Sequence, residues 1–391
     1  DAVFNQKKRF VIIEAGTGVG KSAVGLTVGR YINERIKSTE EFANGTYFVT
    51  TQKILQEQYV KDFGGPSKKL KSIKSSSNYT CKFHKKLSCQ QAQQMLRTTD
   101  KSTKFFKSCA FACTYKEEKK NFLESPESVT NFPYFLTEAA FSGKITPRNC
   151  LVVDEAHNVE SELSKFIEIH ASERFCKSIL NIPWPKNVLT QYQAFNWIRN
   201  EYYPKVKSKL SFFENSLEKS GLKSRLKEFE KVSRQYDLLK GHVSKIKKFL
   251  EIYDSSNWVF ELAPSQNRSL RKFVFKPIDI SSFAKEHLFR LGNTVIMMSA
   301  TILDHKTFCD SLGISKADAA FISLPSPFPP ENRPIIAAPI GKMNMREINA
   351  TLPKLTNAVK EILNNHKDEK GIIHCHTFKI ANHLKNSIKD K

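Results

Sequence analysis

The residues "EAGTGVGKSA", positions 14 to 23, follow directly on the apolar run "FVII" and carry almost no side-chain bulk until a lysine and a serine close them. Glycine occupies backbone conformations that a β-carbon forbids, so Gly16, Gly18 and Gly20 let the chain curl tightly and turn several N–H groups toward one point. A concavity of that kind attracts an anion. Behind it, "KSAVGLTVGRYINERI" reads as a helix with Val24, Val28, Tyr31 and Ile32 on its apolar face, and its positive N-terminal end faces the same point. Ala15, Gly16, Thr17, Gly18, Val19, Gly20, Lys21 and Ser22 therefore read as a phosphate cradle, with Lys21 reaching the β and γ phosphates of ATP and the Ser22 hydroxyl ligating Mg²⁺. The strict form of the pattern begins with Gly; Ala15 belongs to its looser form.

With 391 residues the chain has room for two or three domains, and 40% hydrophobic content fits a soluble globular protein. No apolar stretch approaches the roughly 20 residues that span a bilayer, and no charged-then-apolar leader precedes a small-residue cleavage site. The expectation is a cytoplasmic or nucleoplasmic monomer with no membrane partner. The sequence starts at Asp1, almost at the first strand, as expected of a fragment or a trimmed chain. Lys and Arg number 62 against 39 Asp and Glu, a formal charge of +23 that favours a polyanionic partner such as nucleic acid. Residues 66–124 hold 14 Lys or Arg, 4 Asp or Glu and four of the eight cysteines.

A strand "TYFVTT" and a helix from about Lys53 continue a β-α-β-α opening, the pattern of a parallel sheet with helices on both faces. "GGPSKKLKSIKSSSNYT" breaks the pattern and begins an insertion. Apolar periodicity returns at "SVTNFPYFLTEAAF", and the strand "CLVVDEA" follows. Residues 158–257 are long, charged and mostly helical, with Leu210, Leu217, Leu222, Leu226, Phe229, Leu238 and Leu239 interleaved among basic residues, as in exposed helices packed by one face. Strand signals resume at "WVFEL", "KFVFKP" and "TVIMMSA"; "RPIIAAPI", a helix over 347–363 and "GIIHCH" read as the opening of a second α/β unit.

"LVVDEAHN" ends a buried strand with Asp154, Glu155 and His157, where α/β sheets bind their ligands. Beside the phosphate loop, Asp154 is placed to hold Mg²⁺ through water and Glu155 to polarise the water that attacks the γ-phosphate. Taken alone, a strand-end Asp-Glu also serves as a helix N-cap with first-turn charge.

"EAGTGVGKS", "VVDEAHN" and "MMSATIL", in that order, resemble motifs I, II and III of superfamily 2 helicases, and "VTNFPYFL", "PIDISSFAKEHLF" and "SPFPPENRP" resemble the iron-sulfur, DEAH-box branch containing XPD and DinG. The resemblance touches most of the chain. It implies an α/β fold: a RecA-like P-loop NTPase parallel sheet (1–65, 128–157 and 258–320) interrupted by a cysteine-bearing insertion (66–127) and a helical arch (158–257), then part of a second RecA-like domain (321–391), cut short. It also implies an ATP-dependent DNA helicase moving 5′ to 3′ on single-stranded or forked DNA. In such a family His157 and the Ser299-Ala300-Thr301 turn couple nucleotide state to DNA binding, and "TTQKILQEQ" is similar to the backbone-contacting motif Ia, with Thr51 and Gln52 as candidates.

Members of that family carry a 4Fe–4S cluster where this chain has Cys81, Cys89, Cys109 and Cys113. Four soft, charged thiolates match one such cluster. The spacing alone leaves zinc open, with His84 three residues after Cys81. Cys150, Cys176, Cys309 and Cys375 read as packing residues. Around the four, "KFFKSCAFACTYKEEKK" interleaves aromatics with lysines; Lys104, Lys107 and Lys116 are the expected DNA contacts and most of the aromatics the core of a small domain. The resemblance has gaps. No segment for the family's adenine-contacting glutamine precedes Phe10 beyond nine residues, and the arginines of its late motifs would lie past Lys391. A nucleotide-switched nucleic-acid-binding module without unwinding is the alternative.

Overall fold

The computed structural model describes residues 1–65, 69–96, 99–220, 226–264, 271–332 and 334–388, with residues 218–220, 226, 227 and 264 described by backbone alone. The runs "FVII", "YFVT", "LVVD" and "VIMM" are nearly continuous in apolar residues, as strands buried on both faces require. They become the centre of a parallel sheet. Its strands are β1 (Phe10–Ala15), β2 (Ala43–Thr50), β3 (Leu70–Ser72), β4 (Glu127–Asn131), β5 (Arg148–Asp154), and two that return late in the chain. Between β5 and those lies a small antiparallel sheet of β6 (Ile169–Ser172), β7 (Trp258–Pro264) and β8 (Arg271–Pro277), in the order β6-β8-β7. The late strands are β9 (Gly292–Ser299) and β10 (Ala319–Leu324), and the seven-stranded order is β10-β1-β9-β5-β2-β4-β3. Strand β6 lies inside the stretch whose composition reads as helical.

Side chains alternate across this sheet. Val11, Ile13, Phe48, Val152 and Met298 face one layer, while Ile12, Tyr47, Val49, Leu151, Val153 and Met297 face the other. Helix α1 (Lys21–Arg35) covers the first face. It does so with a different set of residues from the periodicity: Gly25, Leu26, Gly29 and Ile32 are buried, whereas Val24 and Tyr31 are exposed. The cause is a close approach. A β-carbon at Gly25 would meet Met298 Cε at 2.6 Å and Val152 Cγ1 at 2.9 Å, and one at Gly29 would meet Thr46 Cγ2 at 2.9 Å. Backbone thus replaces two side chains of the expected apolar stripe.

Helix α2 (Lys53–Phe63) follows β2, and the insertion then contributes α3 (Cys89–Met95), α4 (Lys104–Phe111) and α5 (Thr114–Glu124). Arg148 fastens α5 to the sheet. Its buried guanidinium lies over the Tyr47 ring at 4.0 Å and donates to Leu123 O at 2.8 Å and Ser128 Oγ at 2.9 Å, which satisfies a carbonyl at the helix's unpaired end.

Helices α6 (Phe132–Thr137) and α7 (Val159–Ile167) pack on the second face of the sheet, and α8 (Glu173–Phe175) and α9 (Gln191–Trp197) lead into two long helices, α10 (Tyr203–Ser220) and α11 (Leu226–Ile252). Those two share a core with the insertion, where Leu217, Phe229 and Tyr236 meet Cys81, Met95, Phe105 and Cys109. The Gln94 side chain bridges Asp237 and Ser233 across the same boundary. Leu239 is buried and Leu238 exposed; Leu222 and the Leu226 side chain lie outside the described residues, as does Arg333 of "SPFPPENRP". Helices α12 (Ser281–His287) and α13 (His305–Leu312) flank β9 in sequence.

By contacts the chain divides into Asp1–Pro327 and Phe328–Lys391. The expected start of a second unit at 321 falls within β10, whose ladder with β1 runs to Leu324. The second unit holds α14 (Ile348–Asn365) and α15 (Phe378–Ser387), joined by Leu352, Val359, Ile380 and Leu384. Neither "RPIIAAPI" nor "GIIHCH" forms a strand among the described residues, and Ile335, Ile336 and Ile372 are exposed there. Strand formation needs a partnered ladder, and these segments have none. Among the described residues no helix is long and apolar enough to cross a membrane.

The tight seat of α1 makes a paired prediction. Gly29→Ala is expected to lower unfolding stability by about 1–3 kcal/mol through overpacking, while Gly241→Ala in α11, where a β-carbon meets nothing within 4 Å, raises it by about 0.5–1 kcal/mol. Urea denaturation of both variants measures this; equal shifts of the same sign would contradict it.

Candidate nucleotide site

Strands β1, β9 and β5 are neighbours whose registers align Ile13 with Met298 and Met298 with Asp154. Their ends therefore open on one rim of the sheet, carrying the glycine loop, Ser299 and Asp154 side by side. The loop turns through Gly18 at φ 87° and Gly20 at φ 77°, a left-handed region that suits glycine. Gly20 caps α1 with no side-chain hydrogen bond, and the first turn of α1 holds no acidic residue. Its leading N–H groups and dipole thus face the loop with no acidic side chain from the helix's own first turn to offset them.

Lys21 Nζ folds back over this loop, donating to Ala15 O at 3.0 Å and Gly16 O at 3.1 Å. Ser22 Oγ donates to Asp154 Oδ2 at 3.3 Å, joining positions 132 residues apart in the chain. Asp154 is buried and already oriented: Tyr59 donates its hydroxyl to Oδ2 at 3.1 Å and the Glu155 N–H donates to Oδ1 at 3.0 Å. A hydroxyl and a carboxylate this close are oxygen ligands of the kind a hard divalent cation takes, directly or through water.

Glu155 sits at φ 55°, a costly conformation for a non-glycine residue, which turns its side chain away from the strand axis. Its Oε2 lies 3.4 Å from His157 Nδ1. That nitrogen is 2.7 Å from Ser299 Oγ, and Asn158 Nδ2 is 2.9 Å from His157 Nε2. An amide N–H donating to Nε2 leaves the proton on Nδ1, so the ring donates to Ser299. Ser299 is buried; Ala300 is half-buried and Thr301 exposed, with the Thr301 N–H donating to Ser299 Oγ at 3.3 Å. The structure thus brings Lys21, Ser22, Asp154, Glu155, His157 and Ser299 to one rim. Thr51 and Gln52 lie on the same rim at the end of β2, one strand beyond β5, with Gln52 exposed ahead of α2.

Tyr59 escapes sequence reasoning by one residue, since the segment "TTQKILQEQ" ends at Gln58. The available signal is that Gln56 and Tyr59, spaced by three on α2, are the buried residues of a helix with a weak apolar stripe. Burial first, and the Asp154 carboxylate second, push the Tyr59 hydroxyl well above the ordinary tyrosine range, so it stays protonated as a donor.

Away from this rim, Cys81, Cys89, Cys109 and Cys113 line one narrow pocket, with Cys89 Sγ and Cys113 Sγ 3.3 Å apart. Burial, reinforced for each by a neighbouring thiol, pushes Cys89 and Cys109 up to about 12. Among the described residues no group of three or more His, Cys, Asp or Glu is arranged to hold a metal ion. A single ion would need its sulfurs within about 2.3 Å of one point. His84 does not line this pocket; its ring packs at 4.7 Å on Phe105. Phe105 and Tyr115 are core, whereas Phe111 is 90% exposed; Lys104, Lys107 and Lys116 are exposed. Cys150, Cys176 and Cys309 are buried.

Tyr59→Phe preserves the packing and removes one donor from Asp154. It is expected to weaken Mg²⁺-dependent ATP binding about two- to tenfold, read by calorimetric titration, with an unchanged circular dichroism spectrum. Unaltered affinity would contradict the orienting role.

Residues 1–182 match the family described as type III restriction enzyme, res subunit. A comparison with curated proteins gives no match. Among solved structures, one titled "XPD_Helicase" is 14% identical, covering 97% of this chain and 71% of its own at a TM-score of 0.53. Another, "XPD_APO", is 15% identical, covering 97% of this chain and 69% of its own at a TM-score of 0.45. The first of these, by its TM-score and at so low an identity, shows likeness of fold alone. The seven-stranded parallel sheet is thus a RecA-like α/β fold, the chain is similar in fold to the solved XPD helicase, and residues 1–182, nearly half of it, match the res-subunit family model.

Proposed function

We propose that the chain is the ATP-driven motor of a DNA helicase in the iron-sulfur branch. The observation that carries the reading is the contact between Ser22 and Asp154 across three adjacent strand ends. A Mg²⁺ ion would be held by the Ser22 hydroxyl and, through water, by Asp154, and it would supply charge neutralisation for the phosphates. The loop N–H groups and Lys21 cradle those phosphates; Lys21 leaves the Ala15 and Gly16 carbonyls to do so. Glu155, beside Asp154 but turned out of the strand, accepts a proton from the water that attacks the γ-phosphate. His157, clasped between Glu155 and Ser299, reports the state of that site to the turn at Ala300 and Thr301.

DNA is the polyanion that best fits a formal charge of +23 with exposed Lys104, Lys107 and Lys116 on the insertion. Thr51 and Gln52 are candidates for its backbone on the sheet rim, and directional travel 5′ to 3′ on a single strand is the motion proposed. The insertion, 66–127, and the arch, 158–257, are read as separate attachments to the motor sheet, sharing the small core around Phe105 and Phe229.

For the four cysteines we read a 4Fe–4S cluster. The donor set supports it: four thiols, from the loop before α3, from α3, from α4 and from the N-cap of α5, line one pocket, with no histidine lining it. The cluster would turn high thiol pKa values into thiolates and cross-link those four places in the chain. Anaerobic purification is expected to give a brown protein with iron and acid-labile sulfide, both lost in Cys109→Ser; a colourless protein with stoichiometric zinc would overturn this.

Glu155→Gln is expected to reduce DNA-stimulated ATP hydrolysis by about 10²-fold or more with little change in ATP affinity, and Lys21→Ala to weaken binding as well. Wild-type turnover in either variant would refute these roles. Strand displacement by the wild-type protein separates a motor from a nucleotide-controlled binding module.

A further inference from the structure

We infer that Glu14 is a positioning residue that ties the phosphate loop to the turn after β9, and so sets the alignment of Ser299 and His157; this rests on the motor reading above. Glu14 is the residue of β1 immediately before Ala15, in register with Ser299 of β9. Its Oε2 accepts two backbone bonds, from the Ile302 N–H at 2.6 Å and the Leu303 N–H at 2.7 Å. Leu303 stands at φ 63° with 86% of its surface exposed. A leucine gains nothing from burial there, and its backbone is in a region that L-residues avoid. The turn is held from outside itself, by the Glu14 carboxylate at one end and by Ser299 Oγ, which accepts from the Thr301 N–H, at the other.

The contacts run in series. Lys21 holds the carbonyl of Ala15, next to Glu14; Glu14 holds the turn; the turn meets Ser299; and Ser299 accepts from His157, which touches Glu155. Phosphates that draw Lys21 away from Ala15 O remove that hold next to Glu14, and the two short bonds pass the change to Ile302 and Leu303. A charge-assisted pair on one oxygen makes this link directional and short. Neither Lys21 nor Asp154 makes such a bridge between the loop strand and the turn.

The test is a ratio: the affinity for a fluorescent oligo-dT single strand with Mg²⁺ and a non-hydrolysable ATP analogue, divided by the affinity without nucleotide. The wild-type chain is expected to show a ratio at least about fivefold from unity. Glu14→Ala should bring the ratio to one while each ligand alone binds within twofold of wild type. Glu14→Gln, which keeps a carbonyl oxygen able to accept both N–H groups, should retain the wild-type ratio within twofold. Leu303→Pro removes one of the two N–H donors to Glu14 and cannot take up φ 63°, so it breaks the same turn without altering β1 and should lower the ratio even if Glu14→Ala proves unstable. An unchanged ratio in a folded Glu14→Ala variant, or in Leu303→Pro where Glu14→Ala does not fold, overturns the assignment, and so does a glutamine variant that behaves as alanine. A wild-type chain that binds neither ligand contradicts the motor reading itself, whereas one that binds both without coupling contradicts this inference alone.

Discussion

The hydrogen-bond ladders that hold β1, β9 and β5 side by side decide where every other part of the site falls. Parallel strands in fixed register end at the same height, so the loop after β1, the serine ending β9 and the aspartate ending β5 open on one rim. Nothing local would bring Ser22 to Asp154. The sheet does it by inserting β9, a strand formed about 140 residues after β5, between two strands that come early in the chain.

Close packing around that frame turns a rim into a site. Gly25 and Gly29 let α1 lie against Met298, Val152 and Thr46, which seats its N-terminus over the strand ends. On the same face Tyr59 packs against Phe48, and Tyr59 and Gln56 face inward from α2, the one bonding Asp154 and the other the Ile73 carbonyl at 2.8 Å. Buried polar groups are acceptable here because each has a partner, and those partners fix rotamers that an exposed aspartate would lack. The strained backbone at Glu155 and Leu303 lies at this rim, as expected where orientation matters more than local comfort.

Much of this arrangement was legible in the sequence because its signals are local. Three glycines with a lysine and a hydroxyl define a loop, and four apolar runs define central strands. What failed were signals that depend on partners. The α1 stripe was assigned to Val24 and Tyr31 because periodicity counts side chains and cannot see that backbone at Gly25 and Gly29 makes the contact. "RPIIAAPI" and "GIIHCH" have strand composition but no ladder in the described second unit. Strand β6 was hidden in a charged helical stretch because its four residues are shorter than any period can register. Tyr59 was invisible because its importance lies in a bond to a residue 95 positions away.

The insertion and the long helices add a second cohesive element, a shared core reaching from Cys81 and Cys109 to Leu217 and Phe229, anchored to the sheet through α5 and Arg148. Cys81 and Cys109 pack directly in that core, while the motor reading rests on the rim. The most direct measurement is a crystal of the chain soaked with Mn²⁺ and a non-hydrolysable ATP analogue, read by anomalous scattering. The account predicts a manganese peak between Ser22 Oγ and the Asp154 carboxylate with the triphosphate along residues 15 to 22; a nucleotide bound elsewhere, or a metal peak remote from both side chains, would contradict it.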